Sequence, residues 1–183
     1  MPKREAIFIT ILVFLCCSWI LVTWTENASS ATQGNSTSGS LTLNKEKIKL
    51  AFAYVDLVNP EEPIIVLSDK ALPPDDFSIS VLTESYIRQK KLHAILFSLS
   101  PKEKKLSGSI NFLYFPGKKS HFIALGNKTE LSITRLDNTA IIGKYKTPKP
   151  AIEAFDEATF SFEASFQVNL RKSQAGPVPS KKK

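Results

Sequence analysis

The chain has 183 residues and a formal net charge of +7, with 43% hydrophobic residues and two cysteines. The charge is unevenly placed: Arg171, Lys172, Lys181, Lys182 and Lys183 form an acid-free C-terminal stretch, while between Lys45 and Leu170 17 basic residues stand against 15 acidic ones, so the tail makes the protein basic. Both cysteines, Cys16 and Cys17, fall in one apolar run, which excludes a disulfide, a thiolate nucleophile or a cysteine-bound metal in everything after it.

That run, Ala6 to Trp24, comes after Lys3 and Arg4 and contains no charge. Positive charge before an apolar run leaves the N-terminus in the cytoplasm and sends the rest of the chain outward. Nineteen apolar residues exceed the usual signal-peptide core and approach the length that spans a bilayer. Residues 1–25 therefore read as a signal peptide or a membrane anchor, in either case a hydrophobic helix. Ala28-Ser29-Ser30 and Ser29-Ser30-Ala31 both suit cleavage. Phe14-Leu15 before Cys16 lacks the small residues of a lipid-attachment site.

Residues 26–44 open with ENASSATQGNSTSGS, almost nothing of which can be buried, and are expected to be a flexible polar linker. About 125 residues, 45–170, remain for one domain with its own core. Residues 171–183 are expected to be a disordered basic tail.

Within the domain, Ile48, Leu50, Phe52 and Tyr54 alternate with polar neighbours and predict one strand with one buried face. Ile64 to Leu67 is continuously apolar after Pro63, as for a strand covered on both sides. After Pro73-Pro74, Asp75 can cap a short helix on which Ile79, Leu82, Tyr86 and Lys90 share a face, although Phe77, Ile79 and Val81 also alternate. Further strands are expected at Leu92 to Ser100, at Leu106 to Tyr114 with Leu106, Gly108, Ile110, Phe112 and Tyr114 inward, and at His121 to Leu125, Glu130 to Leu136 and Thr139 to Lys146. The clearest is Ala158 to Leu170, where Phe160, Phe162, Ala164, Phe166, Val168 and Leu170 alternate with polar residues. About eight short strands with polar turns predict a mainly β fold, an antiparallel β-sandwich, immunoglobulin-like or an open barrel, with one short helix.

The stretch Ile64-Ile65-Val66-Leu67-Ser68-Asp69-Lys70-Ala71-Leu72-Pro73, with a helix-like insert after it and a closing Phe-rich strand, resembles uncharacterised exported bacterial proteins. The resemblance implies a bacterial envelope location and a sandwich-like domain over residues 45–170, and carries no activity with it.

Chemistry has few places to start. HExxH, GxSxG, a glycine-rich phosphate loop and the EF-hand pattern are all missing, and no cofactor or metal is expected. His93 and His121 are the two groups that titrate near neutral pH without a large shift, and each shares strand parity with apolar residues. Glu61-Glu62, Asp75-Asp76 and Asp156-Glu157 read as turn or cap residues. Asp69-Lys70, directly after the most apolar strand, must be exposed or satisfied, and Asp69 is the first mutational target. Basic clusters at Arg88 to Lys91, Lys102 to Lys105 and Lys118-Lys119 can face an anionic surface or simply keep strand edges soluble.

The sequence thus predicts a non-enzymatic envelope module for binding, assembly or structure, periplasmic or extracellular, secreted or inner-membrane anchored. Its expected partner is an unidentified envelope protein or an anionic surface, with membrane contact through residues 6–24 if these are retained and no nucleic acid. The rival readings are a hydrolase acting on envelope polymers, which needs two carboxylates or a histidine-carboxylate pair converging in a pocket, and a module attached electrostatically through its basic tail.

Overall fold

The computed structural model describes residues 35–73, 78–117, 121–152 and 157–170. The expected anchor, the first part of the expected linker, Asp75, Lys118-Lys119 and the tail lie outside the described residues. Among the described residues no helix is long and apolar enough to cross a membrane.

The chain enters as β1 (Ser36–Leu43), and turns through Asn44 and Lys45 into β2 (Glu46–Leu50). Both turn residues hold positive φ, 49° and 72°, the two-residue hairpin geometry whose twist matches its strands. At Ala51 the chain leaves this sheet. It then builds a second one from β3 (Phe52–Asp56), β4 (Ile64–Ser68), β5 (Ala94–Ser100), β6 (Lys105–Tyr114) and β7 (Phe122–Ala124), with a 3-10 turn (Ile79–Val81) and the helix α1 (Glu84–Lys90) between β4 and β5. It returns to the first sheet with β8 (Glu130–Leu136), β9 (Ala140–Lys146), β10 (Ala151–Ile152) and β11 (Thr159–Asn169). The first sheet runs β2-β1-β11-β9-β8 with β10 also on β11, and the second runs β3-β4-β5-β6-β7; their pairings are antiparallel. The mainly β expectation, with antiparallel sheets and one helix, holds.

The main core takes Leu41, Phe160, Phe162, Phe166 and Val168 from the first sheet and Ile65, Leu67, Ile95, Phe97 and Leu113 from the second. Phe97 sits 4.2 Å from the Tyr145 ring and 5.5 Å from Phe166, centroid to centroid. The Tyr145 hydroxyl donates to Asn111 Oδ1, lies 2.9 Å from Thr129 Oγ1, and so gives this polar tip in the core a partner. A smaller cluster lies on the other face of the second sheet, where Ile87 of α1 and the flanking Leu82 and Leu92 cover Val66, Ala94 and Leu96. Strands β4 and β5 are therefore buried on both faces, which is why their sequences are unbroken apolar runs.

Four sequence expectations are corrected. The stretch assigned to the linker contains a strand: β1 pairs along its whole length with β11 on one side, and from Gly39 to Leu43 with β2 on the other. Its small residues fit because β1 and β11 approach closely, and a Cβ on Gly39 would lie 2.5 Å from Ala164 Cα. The expected single strand through Ile48 and Tyr54 is two strands in different sheets. The corner at Ala51 reverses parity, so Ile48, Leu50 and Ala53 face the main core while Tyr54 joins the helix-side cluster.

On β6 a register shift opposite Ser98 does the same. Gly108 there has φ of 86°, a conformation that favours glycine. Leu106 and Leu113 reach the main core while Ile110 and Tyr114 turn to the helix side, and Asn111, expected outside, is buried. Ser98 Oγ accepts the Ile110 N–H at 2.9 Å, replacing a ladder bond that the bulge breaks. Lastly, the helical segment divides. Ser78 caps the 3-10 turn and Thr83 caps α1, so the helix starts later than the periodicity suggests, because each hydroxyl offers the backbone a local acceptor that ends one turn and starts the next.

Candidate functional site

Asp69 comes directly after β4 and His93 directly before β5, one step beyond the last registered pair, Ser68 and Ala94. The Asp69 N–H donates to the His93 carbonyl at 3.1 Å. The return bond is made by a side chain: the His93 N–H donates to Asp69 Oδ1 at 2.8 Å, and the His93 ring nitrogen Nδ1 lies 3.0 Å from Oδ2. Both side chains are nearly buried, 14% and 12% exposed. The carboxylate thus closes the β4–β5 ladder and orients the imidazole at the same time.

Lys70 turns the other way. Its Nζ donates to the carbonyls of Lys90 and Lys91 at 2.5 and 2.8 Å, the C-terminal end of α1, where a cation satisfies orphan acceptors and the helix dipole together. At the opposite end of α1, His121 Nδ1 lies 3.8 Å from Glu84 Oε2, and Glu84 also holds Arg88 at 2.5 Å. Of the four residues singled out from the sequence, the structure brings Asp69 and His93 together, while Lys70 and His121 contact opposite ends of α1. Asp69 and His93 join the strands beneath it, Lys70 holds its last turn, and His121 meets its first. The adjacent Ser68 hydroxyl donates to the Lys70 carbonyl at 2.8 Å, rather than to the imidazole. Among the described residues no group of three His, Cys, Asp or Glu side chains could hold a metal ion.

Two further polar groups escape sequence reasoning or look there like plain turn residues. Asp56 is buried and accepts the N–H groups of Val58 at 2.9 Å and Ile79 at 2.8 Å, fixing the loop after β3 to the 3-10 turn. Glu62 accepts from the Ser107 hydroxyl, and that bond, with those of Ser109 and Ser98, holds its carboxyl below the usual range.

The outer face of the first sheet presents a different surface. Register places Lys49 beside Ser40, Ser40 beside Glu163, and Glu163 beside Lys146, with Glu130 beyond. Parallel rows carry Lys47, Thr42 and Ser161, and Ser38, Ser165 and Lys144. Short hydroxyl residues occupy the two inner strands β1 and β11, and long lysines occupy β2 and β9 on either side. Within this face lies an open hollow of about 660 Å³ lined by Ser38, Gly39, Ser40, Lys47, Lys49, Glu163 and Ser165, residues of β1, β2 and β11. Sequence reasoning misses it because Lys47 and Lys49 look there like the polar half of an alternating strand, with no signal that β9 stands on the far side of β1 and β11.

No family model, curated protein or solved structure matches this chain.

Proposed function

We propose that the chain is an exported or membrane-tethered envelope module that binds rather than catalyses, with its two sheets stacked as a β-sandwich scaffold and its partner docking on the outer face of the first sheet. The charged, then apolar order of residues 3–24 supports the location. The observation that carries the binding reading is the contrast between two regions. The groups able to do acid-base chemistry, Asp69 and His93, are bonded into the strand ladder beneath α1, whereas the hydroxyl and lysine face of β2, β1, β11 and β9 stays open.

The test is saturable retention of the full chain, in mild detergent, by washed bacterial envelopes. Filling the hollow with Ser38→Trp is expected to abolish retention while the melting temperature stays that of the parent, and Ala124→Trp, exposed on the second sheet, is expected to leave it intact. Retention unaffected by Ser38→Trp overturns the proposal.

The 3.0 Å contact of His93 with Asp69 favours one rival, a hydrolase of envelope polymers in which Asp69 orients His93 as a general base. That reading requires polymer cleavage by the parent chain and its loss in His93→Gln.

A further inference from the structure

We infer that the outer face of the first sheet, across the hollow and the lysines of β9 beyond it, binds a chain of acidic sugars, with the ligand's carboxylates on the two lysine rows and its hydroxyls on the strands between them. This ligand class rests on the proposed binding role and gives it a chemistry.

The geometry separates two kinds of contact. Lys47 and Lys49, which line the hollow, stand on one side, and Lys144 and Lys146, outside its lining on β9, stand on the other side of β1 and β11, all four exposed. Neighbouring strands lie about 4.8 Å apart, so the walls are separated by three spacings, roughly 14 Å. Lysines two apart on one strand repeat at about 6.8 Å. A single small anion would touch one wall and leave the other unused, whereas a ribbon of sugar rings lying along the strands fills the floor and offers a charged group to each side. Charge complementarity requires the ligand to be anionic, since four ammonium groups outnumber Glu163 and Glu130, and Lys146 is already 3.4 Å from Glu130.

The floor requires more than charge. Ser38, Ser40, Thr42, Ser161 and Ser165 both donate and accept, and Glu163 accepts only. A carboxylate in the centre repels a purely anionic polymer and bonds well to neutral hydroxyl donors. An acidic polysaccharide carries both groups on one chain. A protein partner is disfavoured because the residues forming the floor and walls include no aromatic or large apolar side chain, the anchors that dominate such interfaces.

The probe is polygalacturonate, titrated calorimetrically into the full chain in mild detergent, against neutral dextran and polyglutamate. Binding of polygalacturonate is expected, with dextran inert and polyglutamate at least about tenfold weaker, and with affinity falling as ionic strength rises. Lys47→Gln with Lys49→Gln is expected to weaken binding about tenfold, as for two partly exposed charge contacts. Lys102→Gln with Lys104→Gln, in the remote turn before β6, and Lys181→Gln with Lys182→Gln and Lys183→Gln, in the tail, are expected to leave it within about twofold. Circular dichroism checks that all variants melt like the parent.

Equal binding of polyglutamate overturns the inference, because charge alone would then suffice. So does a loss from the tail or turn variants as large as that from Lys47 and Lys49. No binding of polygalacturonate overturns it too. If envelope retention still depends on Ser38 in any of these cases, the ligand class is wrong and the binding module stands; if retention is also independent of Ser38, both fall.

Discussion

Replacing Gly39 by alanine separates a central strand from a tether, because the two predict different outcomes. Gly39 pairs with Leu50 of β2 and Ala164 of β11. A methyl group there would lie 2.5 Å from Ala164 Cα and 2.7 Å from Ala164 Cβ, and closer still to the Glu163 carbonyl oxygen. These are atoms at or next to the backbone of a strand held on its far side by β9, so no flexible side chain can move aside. Relief requires β1 to lift from β11, loosening the register from Ser36–Gln167 to Leu43–Phe160. Overpacking of this kind costs about 1–3 kcal/mol. With about 4 °C per kcal/mol for a domain of this size, the melting temperature should fall by roughly 4–12 °C. Ser38→Ala, on the outward face, should stay within about 0.5 kcal/mol. In a flexible linker, by contrast, Gly39→Ala would leave the folded domain untouched. Thermal and urea unfolding of the three chains, monitored by circular dichroism, decides the matter, and a Gly39→Ala variant as stable as the parent would refute a central β1.

Asp69→Ala removes both acceptors of His93, and leaves its N–H unsatisfied in a site that is nearly closed; a loss of about 2–4 kcal/mol in urea unfolding is expected, and a loss under about 0.5 kcal/mol would contradict the ladder-closing role. Tyr145→Phe removes the hydroxyl that donates to Asn111 Oδ1 and its contact with Thr129 Oγ1 and should cost about 1–2 kcal/mol near neutral pH. Burial pushes the Tyr145 hydroxyl well above its ordinary range, against the smaller opposing effect of Thr129 and Asn111. Its contribution is therefore present in full below the unfolded tyrosine value of about 10 and is lost as pH rises beyond it. Unfolding at alkaline pH should consequently be shallower in Tyr145→Phe than in the parent. Asp137 is opposite in sign: bonds from Thr139, then Arg135, hold its carboxyl far below the usual range. The stability it supplies to the β8–β9 turn is present above about pH 4 and declines as pH falls toward the folded value, so Asp137→Asn should flatten the acid limb of a melting-temperature profile.

Much of the fold was legible where burial is one-sided or complete. The alternation from Phe160 to Val168 marked β11, and the unbroken run Ile64 to Leu67 marked β4. The illegible part arose from three-dimensional events with no local signature. β1 offers only Leu41 and Leu43 as core residues, and its other residues belong to a sheet by virtue of close backbone approach rather than hydrophobicity. The parity reversals at Ala51 and at the bulge opposite Ser98 send the right residues to the wrong faces of a strand drawn straight. The candidate site divides in the same way. Asp69 and His93, 24 positions apart, could be singled out one by one, but their pairing is a product of β4–β5 register. The lysine walls are set by strand order alone, since β2 and β9 come from opposite ends of the domain.

The chain enters and leaves the domain at one place. Ser36 stands opposite Gln167, and the Asn169 N–H donates to Asn35 Oδ1 at 2.7 Å, so the two ends lie about one strand spacing apart. Topologically the domain is a closed loop with adjoining doors. It can be permuted by linking 35 to 170 and opening the chain in an exposed turn such as Lys102–Lys104, where no core residue is lost. It can equally be spliced into a surface loop of a host protein without stretching either junction, so that a host gains the lysine and hydroxyl face at the cost of a single loop.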